Sequence, residues 1–358
     1  MENNKRSFIF SGDFESFKNQ PFLQCHGSTL ARLPSGQFVC AWFAGTKEMH
    51  PDTAIWWSVQ VGDQWSQPLV ACKVSDEAHW NPVLFVDKDG QLIMHFKVGR
   101  FPDSWDTYKT KLSNNIKWQK PKLLPSKMLD CGKVTMGPVR NKMITLSNGT
   151  VIAPSSIEKV ISRIPYRVEW NSIFHVSSNG GKTWKTTDIV GYDREKYGEL
   201  GGIIQPALWE TNGKIEAFFR STSGRLFRSH STDGGMTWDD VVMTDIPNPN
   251  SAVDVAVNFN RLAMVYNPVN VDWGRRSPIS ISFSNLDGNL FGEPITIERG
   301  VGGYSYPAII ATDYGFALTY TWSRRRIAFT EVKITEVQDD GCTFKVEMGS
   351  SIKPYNWV

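Results

Sequence analysis

The sequence predicts an all-β fold, a six-bladed β-propeller, on three observations. The first is a turn, Ser231-Thr-Asp-Gly-Gly-Met-Thr-Trp238, with an earlier copy at Ser177-Ser-Asn-Gly-Gly-Lys-Thr-Trp184. Its Ser and Asp or Asn side chains suit the N–H groups of a tight turn, and its Gly pair admits positive φ. Its Trp is large enough to plug the gap between two sheets. Weaker copies run from Ser58 to Trp65, Lys111 to Trp118 and Ser284 to Phe291, so successive turns lie 53, 66, 54 and 53 residues apart. The second observation is a series of β-turn residues, Gly36, Gly90, Gly149, Gly213, Asn260 and Gly315, each just before an alternating apolar run. The third is that the two series stay in phase. A period of roughly fifty residues marks a propeller, solenoid or other array, and strand-like alternation in every unit favours propeller blades of about four strands.

Residues 1–24 are a leading segment in which Arg6-Ser-Phe-Ile-Phe10 suits an edge or closing strand. The blades fill about 25–335 and open at Cys25, His79, Met136, Gly202, Asn248 and Gly303. Residues 336–358 form a closing tail, and the whole of 1–358 reads as one domain. The sixth Trp turn is missing, which fits a ring closed by pairing the leading segment with the last blade. The irregular stretch 185–202 is predicted to be a loop at one rim.

Composition bounds the function. The 39 basic and 36 acidic residues leave a formal net charge of +3, which gives no reason to expect nucleic acid or an anionic membrane as partner. Cys25, Cys40, Cys72, Cys131 and Cys342 are odd in number and lack C-x-x-C spacing, so reduced thiols are expected. The N-terminus carries no long apolar run, and no stretch of 18 apolar residues occurs. The expectation is no membrane insertion and a cytoplasmic location. His50, His79, His95 and His175 show no metal-ligand spacing, and no Gly-rich phosphate loop is present, so neither metal nor cofactor is expected. Oligomeric state stays open.

In a propeller the innermost strand of each blade lines the axis. Six blade openings, distant in sequence, therefore converge on one pocket on one face. Asn81, Gln205, Asn250, Asp254 and Asn267 stand at or near those openings and are candidates for polar contacts to a ligand. Trp42, Trp80 and Trp322 are candidates either for ring stacking or for inter-blade core. Lys97 and Arg140 are candidates for further positive charge.

The Asp turns and the blade order resemble the sialidase (neuraminidase) superfamily, in particular its bacterial branch with BNR-type repeats, over about 25–335. The resemblance implies a sialidase-like propeller and a site of three arginines around a substrate carboxylate, a Tyr nucleophile with a Glu partner, and an acid. Arg220 and Arg276 match two of the arginines, with Arg275 as an alternative register, and Arg326 is a candidate third charge from blade six. The first-blade arginine position holds His26. Tyr306, or Tyr304 in the other register, matches the nucleophile, and the acid belongs to the loop that carries Glu48 and Asp52. The partner of the Tyr is Glu158 or Glu169, and the Glu that follows the last Tyr in the family is replaced by Thr321-Trp322.

A planar guanidinium grips a carboxylate bidentately. A phenol, unlike a carboxylate nucleophile, is not repelled by an anionic sugar. The expected substrate is therefore an acidic glycan or oligosaccharide, and the expected activity is a sialidase-like exo-glycosidase. Two alternatives stand beside it. In a uronate lyase, His26 and Tyr306 would exchange protons at the carbon next to a carboxylate that arginine neutralises. In a binding propeller the same residues would hold sugar without turnover.

Overall fold

The computed structural model describes residues 6–11, 21–337 and 344–356. Cys342 lies outside them; Cys25, Cys40, Cys72 and Cys131 are free thiols. More than half of the described residues are strand, in antiparallel meanders that follow one another along the chain. Sheet one holds Gln24–Arg32, Phe38–Gly45 and Ala54–Val61, with Gln64–Trp65 and Leu69–Cys72 both on its third strand. Sheet two is His79–Val86, Leu92–Val98, Asp106–Lys111 and Lys122–Leu123. Sheet three is Ile144–Thr145, Val151–Arg163, Tyr166–Ser177 and Lys185–Thr186. Sheet four is Gly201–Thr211, Lys214–Ser221, Arg225–Ser231 and Val242–Pro247. A short parallel pairing, Glu169 with Gly201 and Trp170 with Gly202, joins sheets three and four. Sheet five is Asp254–Asn258, Arg261–Tyr266, Ile279–Ser284 and Ile295–Glu298. Sheet six is Tyr304–Thr312, Gly315–Trp322 and Arg326–Val337, the last paired with both Ser7–Phe8 and Phe344–Gly349. Among the described residues, no hydrogen-bonded sheet closes on itself. The stretch 185–202 contains one helical turn, Arg194–Tyr197, and among the described residues no helix is long and apolar enough to cross a membrane.

The Asp turns behave as their chemistry requires. Asp233 Oδ1 accepts from the N–H groups of Met236 and Thr237, Oδ2 accepts from the Thr237 hydroxyl, and Ser231 Oγ accepts from Gly235 N–H. Burial would raise the Asp233 carboxyl, but these hydrogen bonds prevail and bring it down to about 2. The turn holds Trp238 flat against Phe174, with ring centroids 4.0 Å apart. Each turn aromatic packs on the preceding sheet. Trp238 meets sheet three, Phe291 meets Phe218 of sheet four, and Trp118 meets Trp57 of sheet one. Trp184 packs beside Phe85 of sheet two. Trp65 of sheet one meets Phe329 of sheet six at 5.3 Å. The sixth plug, which has no Trp turn, is Phe344, 4.5 Å from Phe283 of sheet five. Each such ring buries about 150–250 Å², roughly 4–6 kcal/mol of apolar transfer before entropy is counted.

The first long strands of neighbouring sheets also lie side by side. Gln24–Arg32 touches both His79–Val86 and Tyr304–Thr312, and Asp254–Asn258 lies between Gly201–Thr211 and Tyr304–Thr312. The starts of these strands meet on one face.

Candidate active site

A repeated backbone device builds the site. Near the start of the first strand in each unit one residue is left-handed: Gly27 (φ 63°), Asn81 (42°), Arg140 (66°), Gln205 (55°), Asn250 (56°) and Tyr306 (56°). Strand pairing slips across four of them, at His26/Thr29, Trp80/Val83, Ile204/Ala207 and Ser305/Ala308. A bulge with one reversed residue re-aims side chains out of the pleat. Such strain costs roughly 1–3 kcal/mol per non-Gly residue and collects at functional sites. Three of the six precede proline (Asn81-Pro82, Gln205-Pro206, Tyr306-Pro307), which has no N–H to offer the interrupted ladder.

The re-aimed side chains meet. Arg220, buried on the strand Lys214–Ser221, donates through Nε to Asn250 Oδ1 (2.6 Å) and through Nη1 to Gln205 Oε1 (3.1 Å) and the Tyr306 hydroxyl (3.2 Å). Arg276 is half-buried, donates to the Asn250 carbonyl (3.3 Å), and places its guanidinium 5.4 Å from the Tyr306 ring. Asn250 is fixed by its own amide, which donates to Asp272 at 3.0 Å. The His26 ring lies 4.1 Å from the Tyr306 ring, and its Nδ1 is 3.1 Å from Thr321 Oγ1. The two positions that depart from the family pattern therefore touch each other. The Asn81 side-chain Oδ1 lies against Gly27, where a Cβ would stand 3.3 Å from it. Below them, buried Arg140 donates to the carbonyls of Ser28 (3.3 Å) and Pro307 (2.5 Å) and sits 5.0 Å from the Tyr306 ring. It clamps the backbone just after His26 and just after Tyr306.

The charges act on one another. Burial alone would raise the Tyr306 phenol. The Arg220 and Arg276 guanidiniums and the Arg220 hydrogen bond outweigh it, against an opposing push from Glu48, and hold the phenol below its ordinary value. Burial, then the fields of Arg324, Arg276, Arg140 and Arg220, keep His26 well below the usual imidazole value, so it is neutral at pH 7. Its Nε2 is buried without a hydrogen-bond partner. Glu158 accepts from Trp170 Nε1 (3.2 Å). Burial raises its carboxyl to about 7, although Arg220 and the Trp170 bond pull the other way. Glu48 forms an ion pair with Arg324.

Other sequence candidates lie elsewhere or serve the framework. Tyr304, two residues before Tyr306 on the same strand, packs against Tyr320 and Trp322. The bulge and reversed φ give Tyr306, not Tyr304, to the arginines. Arg326 lies over Phe8 and beside Trp322; the sixth-sheet arginine whose field reaches His26 and Arg276 is Arg324, in the turn before it. Asp254 is spent on Lys142 Nζ (2.7 Å) and the Ile309 N–H (2.9 Å), which tie neighbouring strands. Asn267 donates to the carbonyls of Pro278 and Tyr304. Asp52 braces its own loop through Thr46 and His50. Trp42 and Trp80 are core, and Lys97 is buried with Thr107 and Thr135. Arg324 and Trp170, whose ring lies 5.3 Å from the Arg220 guanidinium, went unread because neither sits at a strand opening. The sequence signal for Arg324 was its place in the Ser323-Arg324-Arg325 turn, next to the altered Thr321 position.

A family model described as BNR repeat-like domain matches residues 36–318. No curated protein matches. Several solved structures share the fold. A protein of unknown function from Dyadobacter fermentans superposes with a TM-score of 0.70 at 17% identity, covering 90% of this chain and 96% of that one. The K499G mutant of NanB sialidase from Streptococcus pneumoniae gives 0.67 at 15%, covering 91% and 70%. Trypanosoma rangeli sialidase, as a covalent intermediate with 2,3-difluorosialic acid, gives 0.67 at 16%, covering 92% and 57%. At these identities the likeness concerns the fold.

Proposed function

Because this chain belongs to the BNR repeat-like family, we propose that its six sheets close as a six-bladed propeller of sialidase type and that the well at its axis removes a terminal acidic sugar from a glycan. Six aromatic plugs, each on the preceding sheet and including Trp65 on Phe329, support the ring. One observation carries the chemistry: a buried Tyr306 hydroxyl hydrogen-bonded by Arg220, with Arg276 and Arg140 over its ring.

Arg220 and Arg276 receive the sugar carboxylate. The Tyr306 phenol, made more acidic by the same arginines, gives up its proton, and its oxygen attacks the anomeric carbon. The glycosidic C–O bond breaks, and the leaving oxygen takes a proton from a carboxylic acid. Glu48, beside Arg324, fills that place, since Asp52 in the same loop is engaged by Thr46 and His50. Water then releases the sugar from Tyr306. Glu158, hydrogen-bonded to Trp170 and with its carboxyl raised to about 7, is the candidate to take the phenol proton.

A second reading is favoured by His26. A neutral imidazole with an Nε2 that has no hydrogen-bond partner among the described residues, tilted 50° against the Tyr306 ring, suits abstraction of the proton next to a uronate carboxylate. Incubation with sialosides and with uronate oligosaccharides separates the two. Release of a free acidic sugar with no new near-ultraviolet absorbance is the expected result; an absorbing unsaturated product means elimination; and no product from either series refutes catalysis on acidic glycans.

A further inference from the structure

The chain's small net charge hides a strong local one. Between Thr107 and Leu129 there are six lysines and no acidic residue, so the whole chain's +3 less these six leaves −3 for the remainder. Four of the six, Lys109, Lys111, Lys120 and Lys122, line a cavity of about 490 Å³ at the outer edge of sheet two. Lys109 and Lys122 stand directly opposite each other on paired strands. Like charges in that relation are destabilising. Among the described residues none of the four forms an ion pair; the neighbouring Lys133 takes Asp106 instead. The field of Asp87 reaches Lys109, but its Oδ1 is engaged by the N–H groups of Asp89 and Gln91. On the inner side, Lys109 pairs in register with His95, which is 2% exposed and whose Nδ1 has no hydrogen-bond partner. Like charges placed face to face around a cavity, with no ion-pair partner among the described residues, suit an anion there.

We propose that this lysine cavity is a second, non-catalytic binding site, for the charged backbone of a polyanionic glycan. The class of ligand rests on the reading of the axial well as a site for acidic sugars. The lining agrees with it. Ammonium groups are point charges that hold carboxylates or sulfates without demanding a shape. No aromatic ring lines the cavity, so the stacking platform that single-stranded nucleic acid uses is missing. A long acidic chain held here stays attached to the protein while its end is processed.

The test measures binding of a fluorescently labelled galacturonate oligomer to the full chain by anisotropy, across a salt series. Lys109→Gln/Lys111→Gln/Lys120→Gln/Lys122→Gln is expected to bind at least about tenfold more weakly and to lose most of the salt dependence. Lys109→Gln/Lys122→Gln, which serves if the fourfold variant fails to fold, is expected to lose about threefold. Unchanged binding in a folded variant overturns the proposal. So does tighter binding of an oligothymidylate or of phosphatidylserine vesicles than of the galacturonate oligomer. Arg220→Met separates this site from the well: it is expected to lose an acidic monosaccharide but keep the oligomer. If wild type binds no acidic monosaccharide while the oligomer still requires the lysines, the reading of the well falls and the cavity stands.

Discussion

The axial well and the cavity at the edge of sheet two are both cationic, and they are built on opposite principles. In the well the cations are mainly arginines, buried or half-buried, and tied to neutral acceptors: Arg220 to Gln205 and Asn250, Arg140 to two backbone carbonyls, Arg276 to the Asn250 carbonyl. In the cavity they are lysines with no ion-pair partner among the described residues, two of them face to face. Arginine in a fixed frame recognises a planar anion in one orientation, whereas lysine on a flexible stem recognises charge. The difference teaches that, on the proposed readings, one site would select a group and the other a polymer.

Substitutions in the well are predicted to act on chemistry. Tyr306→Phe removes the nucleophile and lowers turnover of the cognate glycoside about 10³-fold or more, with binding retained, as single-turnover kinetics and equilibrium titration will show. Arg140→Met leaves the Ser28 and Pro307 carbonyls without their donor and lowers stability by about 1–3 kcal/mol in urea unfolding. It also raises the Tyr306 titration, read as the near-ultraviolet phenolate difference against Tyr306→Phe; Arg140→Lys, which keeps the charge, restores much of it.

Glu158 gives a pH signature. Its folded carboxyl, raised from 4.5 to about 7, holds a proton between those values that the unfolded chain has released. Stability therefore falls as pH rises across that window and levels off above it. Glu158→Gln is expected to remove that fall in a series of denaturation midpoints. The smallest effect belongs to the cavity. Lys109→Gln/Lys122→Gln relieves a facing like-charge pair and raises stability by about 0.2–1 kcal/mol, against the loss expected at Arg140.

The repeat made the sheets legible in sequence, because turn chemistry and alternation are local. Arg220, Arg276 and the Tyr304/Tyr306 pair were read from the family resemblance, and the structure brings Arg220, Arg276 and Tyr306 together. What escaped was set by non-local geometry. The choice of Tyr306 over Tyr304 depends on a bulge and a reversed φ, and Arg324 over Arg326 on which way a turn faces. Asp254 and Asn267 have the right chemistry for sugar, but neighbouring strands claim their polar atoms first. The lysine cavity was masked because a net charge of +3 averages over the whole chain.

The central claim is that Arg220, Arg276 and Tyr306 form one well for the carboxylate of an acidic sugar. A crystal structure of Tyr306→Phe with a bound acidic monosaccharide tests it most directly. The predicted result is a carboxylate within about 3 Å of both guanidiniums, with the anomeric carbon facing position 306. A sugar bound with its carboxylate touching neither arginine contradicts it.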